Sequence, residues 1–138
     1  DSIMPRLYRE APVNSIWEGS GNIMCLDVLR AMFREDAAVP ALLAEIEAAR
    51  GGNAALDAAV PVLKDELARP EDLELRARSL TEMLAVALQA ALLVQHAPAA
   101  VADAFCTSRL GSRWSGTYGT LPAGVDFTAI IERAAPVS

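Results

Sequence analysis

The eight glycines of this 138-residue chain lie between the segments with helical periodicity and not inside them. They occupy positions 19 and 21, then 51 and 52, and then 111, 116, 119 and 124. Because glycine weakens helix interiors and favours helix ends, this placement divides the chain into helices. Alanine, the best helix former, supplies 27 residues, whereas aromatic residues make up 5%. These features exclude an all-β fold and predict an all-α, up-down helical bundle.

Apolar residues recur at intervals of three and four in five segments between the glycines. Helices are predicted over about 22–35, 38–50, 53–68, 71–97 and 98–110. Asn53 is expected to cap the third helix, and Pro61 is expected to kink it. The far half of the fourth helix is apolar nearly all round, which is typical of the centre of a bundle or of an oligomer interface.

The predicted organisation is a single helical domain over residues 1–138. A motif-bearing segment covers 1–21, the bundle covers 22–110, a glycine-rich loop covers 111–125 and a terminal helix capped by Asp126 covers 126–135. In the motif-bearing segment, two prolines predict a helical turn near Leu7 followed by an extended stretch. Ser20 is expected to cap the helix that begins at Asn22.

The net charge of −6 argues against a general electrostatic attraction to nucleic acid or to anionic membranes, although a local basic face stays possible. The longest nearly apolar run, Met83–Val94, is shorter than the roughly 20 residues that span a bilayer, so no membrane segment is predicted. Cys25 and Cys106 lack C-x-x-C spacing, which indicates a reducing cytoplasm and no metal site. His96 is the single histidine, so Ser-His-Asp chemistry is not indicated.

The most informative stretch runs from Asn14 to Asn22 and reads NSIWEGSGN. Glu18 follows an apolar pair that includes Trp17, and desolvation by an aromatic ring raises a carboxyl pKa toward values useful for proton abstraction. The glycines beside Glu18 allow the backbone to approach a ligand, and the helix that follows offers its N-terminus to a phosphate. By spacing alone, a capping residue matched to the helix dipole is the favoured interpretation of Glu18.

The segment PRLYREAPVNSIWEGSGNIMCLDVLR resembles the part of acyl-CoA dehydrogenases that carries an I-Y-E-G-T element before a helix. It is most similar to the AidB-type branch of that family, the alkylation-response flavoproteins, through P-V-N-S-I-W-E-G-S-G-N. The long helical continuation and the SRLGSRW and GTLPAGVDF stretches also resemble the end of AidB-type proteins. The resemblance implies the C-terminal helical domain of an FAD-dependent acyl-CoA dehydrogenase-like homotetramer.

The resemblance assigns roles only at matching positions. Glu18 falls where the family's general base removes the α-proton of an acyl-CoA thioester while hydride passes to the flavin. Gly19, Ser20 and Asn22 fall where the family meets FAD, partly that of a neighbouring subunit. Trp17 replaces the usual tyrosine, which would narrow an acyl pocket.

Three functional hypotheses follow. In the first, the chain completes a flavoprotein whose flavin- and substrate-binding parts precede Asp1, so the isolated fragment is expected to fold but to bind no FAD and to lack dehydrogenase activity. In the second, the AidB-type resemblance implies contact with double-stranded DNA, for which the candidates are Arg76, Arg78, Arg109 and Arg113. In the third, the apolar half of the long helix, including Leu88 and Leu92, buries an oligomer interface.

Overall fold

The computed structural model describes residues 2–17, 21–111 and 121–135, which form helices and no strand. The seven α-helices are α1 (Met4–Glu10), α2 (Gly21–Arg34), α3 (Ala38–Glu47), α4 (Ala54–Ala68), α5 (Leu73–His96), α6 (Ala99–Arg109) and α7 (Phe127–Ala134). The all-α prediction is confirmed, and the predicted helices of the bundle are found within a few residues of their expected bounds.

The first described residues, 2–17, form a segment that we call the arm. The predicted helical turn near Leu7 is found as α1. The prediction of an extended stretch after it is wrong, because residues Ala11–Ser15 form a 3-10 helix. Pro5 and Pro12 each stand in the first two positions of one of these helices. Proline's fixed φ suits a helix start, where its missing N–H costs little, so both prolines begin helices here.

Side-chain caps fix the starts of two helices as the sequence predicts. The Asn53 side chain accepts hydrogen bonds from the backbone N–H groups of Ala55 at 3.0 Å and Leu56 at 3.4 Å. The Asp126 carboxylate accepts one from the N–H of Ala129 at 3.0 Å. Each bond satisfies a donor that has no partner within the helix, so α4 and α7 begin where the sequence predicts. The helix α4 continues through Pro61.

The connection between α3 and α4 turns at a pair of glycines. Gly51 has a φ of +81°, a conformation that side chains other than glycine rarely adopt. A Cβ added to Gly52 would overlap with Cγ1 of Val94, near the end of α5. The connection therefore packs so closely on α5 that a larger residue at position 52 would displace the Val94 side chain.

The long helix α5 is the centre of the bundle and packs against α2, α3, α4 and α6. Its buried side chains are two leucines and four alanines, and the small alanines let neighbouring helices approach closely; they are Ala77, Leu80, Leu84, Ala87, Ala90 and Ala91. By length and composition α5 is the one described helix that could cross a membrane, but its contacts are those of a core helix. The centre of the bundle therefore accounts for the buried residues in the far half of α5. Leu92 is 40% exposed, and the oligomer interface predicted there stays a prediction.

Candidate functional site

The residues predicted to form a site fall on both sides of a gap in the described chain. Glu18, Gly19 and Ser20 lie outside the described residues, so the base, two of the FAD contacts and the Ser20 cap stay predictions. Trp17 precedes the gap, and α2 begins directly after it at Gly21. The surroundings of the motif are therefore defined by the end of the arm and by the first turn of α2.

The first turn of α2 is joined to the first turns of α5 by an arginine. Arg78 donates a hydrogen bond of 2.9 Å from Nη1 to Oδ1 of Asn22. The same guanidinium lies 3.5 Å from the position that a Cβ on Gly21 would take. A positive charge thus stands beside the N-terminus of a 14-residue helix, where unpaired backbone N–H groups already favour an anion. This arrangement is suited chemically to a phosphate or a carboxylate.

The sequence assigns Asn22 and Arg78 to separate hypotheses, the first to FAD and the second to DNA. They are 56 residues apart, and only the packing of α2 against α5 brings them together. No local pattern could have paired them, because each stands on a helix face that looks exposed and polar by itself. The structure therefore adds Arg78 to the candidate site at Asn22.

The arm ends, shortly before α2 in the sequence, in two exposed apolar side chains. Ile16 and Trp17 are both mostly exposed, and their backbone N–H groups donate to the carbonyl of Val13 at 3.0 and 2.8 Å. These bonds close a turn after the 3-10 helix and hold the backbone that leads to Glu18. The carboxylate therefore follows a turn with a defined backbone and two uncovered apolar side chains.

Arg76, one of the arginines predicted to contact DNA, is instead part of the fold. Its guanidinium donates to the carbonyl oxygens of Glu66, Arg69 and Glu71 at distances between 2.7 and 3.4 Å, and it pairs with the Glu66 carboxylate. Its side chain is only 16% exposed. These contacts tie the end of α4 to the start of α5, where Asp72 adopts a left-handed backbone conformation without a side-chain cap. We therefore do not expect Arg76 to contact a phosphate.

The remaining arginine candidates do not form a described basic face. Arg109 ends α6, and Arg113 lies outside the described residues. Arg109 lines a mainly apolar cavity of about 570 Å³ between α4, α5 and the end of α6, together with Val62, Met83 and Val86. Nothing in the described part of the chain favours the DNA hypothesis.

The two cysteines are free thiols in the core region of the bundle. Cys106 is fully buried, and Cys25 is half-buried on α2. Burial raises the pKa of the Cys106 thiol, and the nearby negative charge of Asp103 raises it further. Neither geometry nor charge suggests a nucleophile at Cys106. Within the described ranges, no group of three or more His, Cys, Asp or Glu side chains could hold a metal ion.

Comparison with known proteins connects this geometry to a family. No protein-family model matches the chain. The chain is 41% identical over 113 residues to the curated Escherichia coli (strain K12) protein named "Putative acyl-CoA dehydrogenase AidB". The match covers 82% of this chain and 20% of that relative, so the chain spans about a fifth of the relative's length. The resemblance found in the motif is confirmed: the chain is an all-helical acyl-CoA dehydrogenase-like domain related to AidB.

Proposed function

We propose that the chain is the C-terminal helical domain of a longer, cytoplasmic AidB-type flavoprotein, in which it supplies the general base and part of the FAD site. The observation that carries the proposal is the 41% identity to AidB across most of the chain, which also contains the motif P-V-N-S-I-W-E-G-S-G-N. The relative is about five times longer than the matched segment, so the remaining parts of such a site belong to sequence outside this chain.

The described residues beside the motif fit a dinucleotide cofactor. The Arg78 guanidinium and the N-terminus of α2 together offer positive charge and N–H donors to a phosphate. Gly21 leaves open the space beside that guanidinium. In this proposal Gly19, Ser20 and Asn22 contact FAD, and Arg78 both orients Asn22 and supplies positive charge.

Glu18 is proposed to remove a proton from the carbon next to the thioester carbonyl of an acyl-CoA. FAD, when bound, would supply the hydride acceptor for the neighbouring carbon, which completes an α,β-dehydrogenation. In this proposal the apolar side chains of Ile16 and Trp17, which directly precede Glu18, help to exclude water from the reacting carboxylate. Trp17 would also restrict the size of the acyl group.

The test is Glu18→Gln in the full-length product of the gene that encodes this sequence. We expect acyl-CoA-dependent dye reduction to fall by about 10²–10⁴-fold, the usual contribution of general acid–base catalysis, with the bound flavin unchanged. Glu35→Gln, a matched change on an exposed carboxylate after α2, should leave the rate within twofold. Activity retained in Glu18→Gln would exclude Glu18 as the base, and absence of flavin from the full-length protein would exclude the proposal as a whole.

A further inference from the structure

We infer that the arm is a docking surface for the rest of the longer polypeptide, an inference that rests on the proposed function. The arm is the least covered part of the described chain. Every residue from 2 to 17 is exposed, and seven of these side chains are large and apolar. Tyr8 and Ile16 are 82% and 75% exposed. A surface of this kind on a folded protein marks an interaction site.

The pattern on α1 shows which face is to be covered. Ile3, Met4, Leu7 and Tyr8 follow the spacing i, i+1, i+4 and i+5, which places them on one side of the helix. Arg6 and Glu10 border this side and pair with each other at 2.9 Å. The helix is therefore amphipathic, with an ion pair at the edge of an apolar face that none of the described residues covers.

A helix as short as α1 is not stable in water by itself. Isolated helices shorter than about 12–15 residues are marginal even in alanine-rich sequences, and α1 has seven residues. In proteins such helices are stabilised by packing of their apolar face. Burial of the apolar side chains at positions 3, 4, 7 and 8 by a partner would supply that stabilisation.

The length of α1 and the size of the AidB relative favour the remaining polypeptide over a second copy as the occupant. Two α1 helices, each only about 10 Å long, would bury too little area for a stable dimer. About four fifths of the AidB relative lies outside the matched segment, which provides a partner of sufficient size in the same chain. The complementary surface must itself be apolar to cover Leu7, Tyr8 and Ile16.

Hydrogen–deuterium exchange tests this docking by comparing the 138-residue chain with the full-length product of its gene. We expect amide exchange in α1 and the 3-10 helix to be roughly 100-fold slower in the full-length protein. Amides in α4, which is covered by its own bundle, should be unchanged and serve as the internal control. Equal exchange in the two proteins, or a gene product that adds no polypeptide to these residues, would overturn the inference.

Two substitutions in the full-length protein separate docking from other causes of protection. Tyr8→Asp should remove the slow exchange of the arm, whereas Leu75→Asp, at an equally exposed apolar residue on α5, should leave it unchanged. Protection of the arm in the 138-residue chain that disappears on dilution would instead identify a second copy as the occupant and overturn the inference. Flavin content and dehydrogenase rate are measured on the same samples. Protection without activity would refute the proposed function alone, and activity with an unprotected arm would refute the docking alone.

Discussion

The bundle and the arm differ in how each is stabilised. In the bundle, α2, α3, α4 and α6 surround α5, and the buried side chains between them, mostly leucine and alanine, all belong to this chain. The arm is equally helical but has no buried residue, and its apolar side chains face outward. The motif with Glu18 stands at the junction of these two regions. The comparison teaches that this chain contains the full core needed to fold but only one side of the proposed site.

The largest effect that would sharpen this comparison is expected in the core. Leu80→Ala should destabilise the isolated chain by about 2–5 kcal/mol, since Leu80 is 2% exposed and its removal leaves a cavity between helices. Leu75→Ala, in the same helix but 85% exposed, should cost less than about 0.5 kcal/mol. Urea unfolding followed by circular dichroism measures both. Similar losses for the two variants would contradict the packing described for α5.

An intermediate effect is expected where α4 joins α5. Arg76→Met should cost about 1–3 kcal/mol, because it leaves the Glu66 carboxylate and three carbonyl groups without their donor. The control is Arg78→Met, which removes one exposed hydrogen bond to Asn22 and should cost less than about 1 kcal/mol. The same urea titration distinguishes them, and a neutral Arg76→Met would mean that the connection does not depend on this arginine.

A smaller, pH-dependent effect is expected between α3 and α4. A hydrogen bond from Lys64 and its positive charge lower the pKa of Glu47 below the usual 4.5. A lowered folded-state pKa adds stability above pH 4.5 that is lost as the pH falls through the folded value. Glu47→Gln should therefore be slightly less stable than the unmodified chain at pH 7, and the difference should shrink below pH 4.5. Lys64→Met should remove most of this pH dependence and leave the smaller contribution of the Arg50 charge; an undiminished pH dependence would contradict the assignment to Lys64.

The smallest effect is expected for the arm. Removal of residues 1–17 should change the unfolding free energy of the isolated chain by less than about 0.5 kcal/mol, because none of the described residues removed is buried. Far-ultraviolet circular dichroism should change little, because α1 is too short to be stably helical without a partner. A loss above about 1 kcal/mol would show that the arm packs on the bundle and would break the contrast between the two regions.

The fold was predictable from the sequence because its signals are local. Glycines at 51 and 52, the cap at Asn53 and the apolar stripe through Leu80 and Leu84 each act within one helix or turn. The sequence was wrong about the stretch after Glu10, where Pro12 begins a 3-10 helix. Proline is compatible with both conformations, and no periodicity separates them over five residues.

The site was less predictable because its described contacts are not local. The proposed role of Glu18 as the base rests on the resemblance. The hydrogen bond from Arg78 to Asn22, by contrast, exists because α2 and α5 pack together. Arg76 and Arg78 are two residues apart and look alike in the sequence, yet only Arg76 is taken up by the backbone of the α4–α5 connection. The tertiary structure alone distinguishes the two arginines: the guanidinium of Arg76 is used by backbone carbonyls, whereas that of Arg78 has donors left for a ligand.

The separation of folding from function is tested most directly by adding FAD to the purified 138-residue chain and measuring bound flavin and helicity together. We predict a cooperatively folded helical protein that retains no flavin after gel filtration and shows no acyl-CoA-dependent dye reduction. One tightly bound FAD per chain would contradict this prediction, because the site would then be complete within these residues.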